Sequence, residues 1–205
     1  KKAKQIYVSN KKIFDKVEKE FQIEKELLLA LWSIETNYGK HFGKMDTISS
    51  LATLSYDLRR RDFFTNQLLI LLKLVDEGIL EKENLFGSWA GAIGNFQFMP
   101  STIKSYGIDY DNDNKIDLKR SIPDSVASAA NYLNRIGWKK NQICYLEIDF
   151  SKPIKTKYLN KSARNIKFKK EIKFWIKNGV ITTNKPNINI NKTAIIIPDG
   201  NLDSP

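Results

Sequence analysis

Glu24-Lys25-Glu26-Leu27-Leu28-Leu29-Ala30-Leu31-Trp32-Ser33-Ile34-Glu35-Thr36-Asn37-Tyr38-Gly39 is the stretch on which the fold is read. Leu27, Leu28, Leu29, Leu31, Trp32 and Ile34 make a helix over Glu24 to Asn37 apolar nearly all round, the pattern of a helix buried at the centre of a domain. Gly39 is placed to end it in a left-handed turn. Outward from it, Asn10 can cap a preceding helix with Ile13, Phe14, Val17 and Phe21 on one side. A third helix runs from about Thr47 through Leu51, Leu54 and Leu58. A fourth runs from about Phe63 to Glu77 with Leu68, Leu71, Leu72 and Val75 inward, and Gly78 stops it.

Between Gly87 and Pro100 the string Gly-Ser-Trp-Ala-Gly-Ala-Ile-Gly-Asn-Phe-Gln-Phe-Met-Pro is too glycine-rich for a regular helix and reads as a binding loop or close-packed backbone. Pro100 to Ser105 forms a short helix. Ser121 to Arg135 forms a longer one with Val126, Ala129, Ala130 and Leu133 inward, ended by Gly137. After that the period changes. Cys144 to Phe150 alternates apolar and polar, as do Ile188 and Ile190 with their Asn neighbours, and Ala194 to Ile197 is a short apolar run. The expected class is α+β: a helical domain over 1–138 and a small lobe over 139–205 with short strands and one helix near Lys169 to Lys177.

The 205 residues, 41% hydrophobic, suffice for one good core and a small second lobe. The net charge of +11 is unevenly placed: Lys139 to Lys192 holds fourteen Lys/Arg against three Asp/Glu, leaving twenty against twenty elsewhere. A basic lobe suits an acidic polymer, whether nucleic acid, anionic lipid or a cell wall with carboxylate-bearing peptide stems; a solvated face is the alternative. The single cysteine, Cys144, excludes an intramolecular disulfide and a cysteine metal cluster, and a buried thiol is expected there. His41 alone cannot furnish a multi-histidine metal site, and its loop position suggests a surface residue. No run is long and apolar enough to span a bilayer. The sequence starts at Lys1-Lys2 with no export segment, so any signal or lipid anchor is expected to have been removed.

A carboxyl that acts as a general acid must hold its proton near the working pH, which makes the surroundings of Glu35 the question. Leu31 and Trp32, one turn back from Glu35, would desolvate it, and the carbonyls of the last helical turn oppose a negative charge. Position alone favours an ordinary surface glutamate at a helix end.

Four linked segments change that balance. Glu35-Thr36-Asn37-Tyr38-Gly39, then Leu51-Ala52-Thr53-Leu54-Ser55 with Arg59-Arg60, then Gly87 to Gly94 with Gln97-Phe98-Met99-Pro100-Ser101, then Ala130-Asn131-Tyr132-Leu133 with Gly137-Trp138, closely resemble the membrane-bound lytic transglycosylase B family in order and spacing. The resemblance implies a lysozyme-like helical domain that cleaves the β-1,4 bond from N-acetylmuramic acid to N-acetylglucosamine in peptidoglycan. It implies that one glutamate, matching Glu35, gives a proton to the leaving oxygen and then removes one from the C6 hydroxyl of muramic acid, leaving a 1,6-anhydro end. No catalytic cofactor is implied. By the same resemblance, Ser88 and Gln97 line the catalytic centre, Phe98 and Tyr132 form an aromatic wall for sugar faces, and Arg59 and Arg60 offer a contact to stem-peptide carboxylates. Core packing for the two aromatics and a solvated helix end for the two arginines are the competing readings. The implied partner is the glycan strand and not nucleic acid, acted on by a monomer in the periplasm or cell envelope of a bacterium, with membrane anchoring through a removed N-terminal segment. The family usually continues past Asp203-Ser204-Pro205, so the second lobe is expected to be cut short. A hydrolytic muramidase, which would set a second carboxylate about 5 to 9 Å from Glu35, and a non-catalytic wall-binding module are the alternatives.

Asp109-Tyr110-Asp111-Asn112-Asp113-Asn114-Lys115-Ile116-Asp117 opens an EF-hand-like loop over 109–120. Asp109, Asp111, Asp113 and Asp117 stand at positions one, three, five and nine, and the Lys115 carbonyl at seven, as oxygen ligands for a structural calcium. Asn114 replaces the usual glycine at position six, and Arg120 replaces the bidentate glutamate at twelve, a loss that Asp124 or water could make good. The family resembled often has calcium here.

Overall fold

The computed structural model describes residues 1–141, 145–182 and 192–197. The chain forms two compact units, Lys1–Asn141 and Gln142–Pro205. The division lies three residues later than the sequence suggests, for a visible reason. The Trp138 indole donates to Glu24 Oε2 (2.8 Å), Lys140 Nζ to Glu18 Oε1 (2.9 Å) and the Asn141 N–H to Glu24 Oε1 (2.6 Å), which fastens 138–141 to the helices before it.

The first unit begins with α1 (Lys2–Ser9) and α2 (Lys11–Phe21). Asn10 does not cap α2 through its side chain; its Nδ2 donates back to Ile6 O (2.9 Å) and closes α1 instead. The central helix is α3 (Lys25–Thr36), followed by β1 (Met45–Asp46) and α4 (Thr47–Leu54), which Asp46 caps by accepting from the Ser49 N–H (2.7 Å). The cap fixes where α4 starts, and α4 stops four residues short of Leu58, which is left exposed in the following loop. In α5 (Arg61–Asp76) the buried positions are Phe64, Gln67, Leu71 and Leu74, at helical spacing of three and four, while Leu72 is turned to solvent.

A short strand β2 (Phe86–Gly87) pairs antiparallel with β1, Met45 opposite Gly87. Then come α6 (Pro100–Tyr106), begun by a proline at its first position, and α7 (Ile122–Arg135). Ser121 caps α7 by accepting from the Asp124 N–H (3.2 Å). Helix α2 packs on α7, α4 on α5, and α5 on α6. Phe14, Val17, Ile23, Leu28, Leu51, Leu71 and Val126 meet in the core without solvent contact. Removing apolar side chains of this size from water stabilises the fold by about 1.5–3 kcal/mol each.

The second unit is small and mixed. Strand β3 (Ile148–Phe150) pairs antiparallel with β5 (Val180–Thr182), and β4 (Leu159–Asn160) pairs parallel with β6 (Ile195–Ile196). Helix α8 (Ile172–Lys177) lies between them in sequence and presses Trp175 into a core with Ile154, Val180 and Ile195. The expected alternation around Ile188 and Ile190, the buried thiol at Cys144 and the chain end at Asp203-Ser204-Pro205 lie outside the described residues. The class is therefore α+β, helical first and with short strands after. No helix among the described residues is long and apolar enough to cross a membrane.

Candidate active site

Helix α3 ends at Glu35 and Thr36 because Asn37, Tyr38 and Gly39 turn left-handed in succession, with φ of 51°, 60° and 75°. The Asn37 N–H donates to Ser33 O (2.9 Å) and the Tyr38 N–H to Trp32 O (3.2 Å), which satisfies carbonyls that the helix would otherwise leave open. A tyrosine at positive φ is uncommon and persists only where neighbours hold it.

What holds it is Asn95. The Trp32 indole donates to Asn95 Oδ1 (2.7 Å) and Thr36 Oγ1 to Asn95 O (2.9 Å), while the Gly39 N–H donates to Thr36 Oγ1 (3.1 Å). Asn95 Nδ2 in turn reaches Ser125 Oγ (2.9 Å), Leu118 O (3.1 Å) and Lys119 O (3.2 Å). Asn95, Thr36 and Ser125 are all buried, so these bonds are made away from competing water. The rings of Phe14 and Phe96 stack on Trp32 at 6.4 and 6.3 Å. Sequence reasoning missed Asn95; its signal was a lone polar residue set between Gly94 and Phe96 in the glycine-rich string.

The buried face of α3 is Leu28, Leu29, Trp32 and Thr36, and Glu35 stands off it, exposed and with no hydrogen-bond partner among the described residues. Trp32, expected to lie against Glu35, turns inward to Asn95 instead. Glu35 thus presents an exposed carboxyl group on a firmly anchored helix end.

Two loops grip the segment that follows it. Gly43, at φ 84°, lies so close to the next loop that a Cβ there would overlap Gly87 O and come within 2.8 Å of Ser88 N. Gln97 Nε2 donates to Gly94 O (2.9 Å) and Phe42 O (3.4 Å). The structure therefore joins the segments carrying Glu35, Ser88 and Gln97. Ser88 is half-buried; its Oγ accepts from the Ala92 N–H (3.0 Å), a bond that does not use its hydroxyl proton.

The remaining expected residues fare differently. Phe98 is a core ring, 8% exposed, bonded through its backbone in both directions to Ile93 at 2.9 Å. Tyr132 is half-buried, its ring 5.7 Å from Phe98 and 5.2 Å from Tyr106. Arg59 and Arg60 are exposed, and the Arg60 guanidinium covers the Phe63 and Phe64 rings at 4.7 and 4.8 Å. Among the described residues no hydrogen bond, ion pair or ring contact joins either arginine to the segments around Glu35. His41 is exposed, as its loop position suggests.

In the acidic loop the carboxylates that converge are those of Asp109, Asp111 and Asp124, with ligand oxygens within 4.8 Å of one another. Asp124, which the sequence offers only as a substitute, is buried at the start of α7 and accepts from the N–H groups of Tyr110 (2.8 Å) and Asp117 (3.0 Å). Burial pushes the Asp124 carboxyl up; those two hydrogen bonds oppose the effect and the Asp111 charge adds to it. Asp113, Lys115 and Asp117 stand outside the cluster. Asp113 Oδ1 accepts from the Lys115 N–H (2.9 Å), and Asp117 Oδ1 from those of Lys119 (2.9 Å) and Arg120 (2.8 Å), so both carboxylates shape the turn.

With this geometry, the likeness to known proteins is specific. The chain is 36% identical over 121 residues to membrane-bound lytic murein transglycosylase B of Escherichia coli, a match covering 58% of this chain and 33% of that protein. The crystal structure of SltB3 from Pseudomonas aeruginosa in complex with NAG-anhNAM-pentapeptide aligns with a TM-score of 0.85 at 30% identity, over 96% of this chain and 52% of that one. The Escherichia coli lytic transglycosylase SLT35 in complex with calcium aligns with a TM-score of 0.79 at 26% identity, over 93% of this chain and 58% of that one. The chain thus spans about a third of the curated relative and just over half of each solved protein. The family model described as the transglycosylase SLT domain matches residues 1–204, and by that match the chain is a member of the transglycosylase SLT domain family.

Proposed function

We propose that the chain is the catalytic part of a peptidoglycan lytic transglycosylase, with Glu35 as its one acid and base. The observation that carries this is the anchored, unpartnered Glu35 carboxylate at the end of α3, followed by a segment clasped to the loops of Ser88 and Gln97. A protonated Glu35 gives its proton to the glycosidic oxygen as the bond from muramic acid breaks. The resulting carboxylate takes the C6 hydroxyl proton as that oxygen closes on C1, forming the 1,6-anhydro ring without water. Ser88 and Gln97 orient the sugar at this centre, and Tyr132 offers a partly open ring for a sugar face. Arg59 and Arg60, both exposed, offer guanidinium groups to a stem-peptide carboxylate. A peptidoglycan substrate puts the reaction in the bacterial envelope. SltB3, solved with NAG-anhNAM-pentapeptide, supports the substrate class.

We further propose that Asp109, Asp111 and Asp124 hold a calcium ion of structural role. Three converging carboxylates, one of them buried, are a hard-oxygen donor set that suits this cation, and SLT35 was solved with calcium.

Digestion of purified sacculi with mass analysis of the products tests the main reading. Anhydro ends, lighter by one water than reducing ends, are expected from the native chain and not from Glu35→Gln. Reducing ends would assign a hydrolytic muramidase instead. Unchanged cleavage by Glu35→Gln would remove Glu35 from the chemistry.

A further inference from the structure

Lys119 has a position that the reaction above leaves unused. Its ammonium lies 5.5 Å from the centre of the Phe42 ring and 5.9 Å from that of Phe86. Phe42 belongs to the segment after Glu35, packs over Gly39, and gives its carbonyl to Gln97. Phe86 is the residue before Gly87 and Ser88. The lysine itself comes from the loop before α7, and its main chain is fixed at both ends: the N–H donates to Asp117 Oδ1 (2.9 Å) and the carbonyl accepts from the buried Asn95 (3.2 Å). One cation is thus held between side chains of the two segments that flank the candidate centre.

Several lysines on this surface are held by an opposite charge: Lys25 by Asp15 and Glu18, Lys140 by Glu18, Lys115 by Glu81. Lys119 has no carboxylate partner among the described residues. Two aromatic faces attract an ammonium and limit its directions, yet neutralise none of its charge. A half-buried, directed and uncompensated cation is a receptor for an anion, and a carboxylate gains a charge-assisted hydrogen bond there.

We infer that Lys119 binds a carboxylate of the peptide stem on the muramic acid next to the cleaved bond, making it a specificity residue for peptide-bearing strands. This rests on the proposed glycan-strand function. The ligand chemistry is a free carboxylate, whether at the peptide terminus or on a side chain of the stem.

A binding measurement on the whole chain tests this, with NAG-NAM-pentapeptide and with peptide-free NAG-NAM whose lactyl carboxyl is amidated, so that it carries no free carboxylate; neither contains the bond to be cleaved. The native chain is expected to prefer the peptide-bearing form by about fivefold, the scale of one partly solvated charge-assisted bond. Lys119→Met, which keeps the stem packed between the two rings, should bring the two ligands within about twofold of each other. Lys119→Arg should restore the preference, and salt should weaken it in the native chain. A pentapeptide amidated at its terminus tells the two carboxylate sources apart: loss of the preference assigns the terminus, retention assigns the side chain. A native chain without preference, or a Lys119→Met variant that keeps it or loses both ligands equally, overturns the inference. Failure of the functional reading shows elsewhere, as the absence of anhydro ends from digested sacculi.

Discussion

If Glu35 is the acid, as proposed, and Asn95 anchors the helix end that carries it, the two should fail differently when replaced. Because Glu35 is exposed and has no hydrogen-bond partner among the described residues, Glu35→Gln should change stability by no more than about 0.5 kcal/mol in a thermal melt. Release of anhydro-muropeptides should fall by about a thousandfold, the middle of the range for a lost general acid. Asn95→Ala should behave in the opposite manner. It strands the Trp32 indole N–H and several acceptors in the core, and about 3 kcal/mol of stability should be lost, read as a lower denaturant midpoint. At this scale the sequence is legible where periodicity and a glycine mark a helix end, as at the turn that carries Glu35, and opaque where the role is a long-range hydrogen bond. Nothing local to Asn95 says that its partners are residues 32, 36, 118, 119 and 125. Phe98 shows the same limit, since a ring in a motif reads alike whether it faces a sugar or the core.

Among elements, the loops decide what the helices can do. The close contact between Gly43 and Gly87 joins the Glu35 segment to the Ser88 loop, and Gly43 also needs its positive φ. Gly43→Ala should therefore cost about 2–4 kcal/mol, or part that contact and lower activity in a variant that still melts cooperatively. The start of α7 makes a second case. Asp124 is raised by burial, so its stabilising share is present below the ordinary 3.8 and is lost as pH rises through the raised value. At neutral pH its buried charge is a net cost that a bound cation would offset. Added calcium should raise the melting temperature at pH 7, less so near pH 4, and hardly at all in Asp124→Ala. Helical periodicity made α2, α3 and α7 readable in advance. α4 could not be delimited that way, because Asp46 and its cap decide the start and no apolar repeat marks the end. In the acidic loop the spacing of carboxylates was plain, but which of them converge depends on α7 bringing Asp124 across.

For the whole molecule, charge sets the acid limit. Asp15 is held at about 2, first by its hydrogen bond from Lys11, then by Tyr7 and Lys25. Burial works against the Glu18 and Glu24 carboxylates. For Glu18 the hydrogen bonds from Lys140 and Lys25 outweigh it, and for Glu24 those from Asn141 and Trp138 do, so both fall below their ordinary value. Carboxylates lowered in this way add stability above their unfolded values, about 3.8 and 4.5, and lose it as pH falls toward the folded ones. The first unit should accordingly weaken between about pH 4.5 and 2, and Lys140→Met should flatten that dependence in melts followed by circular dichroism. The same bonds moved the end of the first unit from Trp138 to Asn141, a shift that no composition change announces. The surplus of positive charge in the second unit, by contrast, is plain from counting.

The Asn95 web has one more consequence, in how damage spreads. Ser125 is far from Glu35 along the chain, yet two hydrogen bonds through Asn95 connect it to Thr36, the residue after Glu35. Backbone amides of residues 36–39, 95 and 118–125 should then exchange with deuterium in one shared opening event, slow in the native chain and quickened together by a lesion at any member. An inactive variant found by random mutagenesis at Ser125 would look like an unrelated defect in a distant helix, and would be a fault in the aim of Glu35.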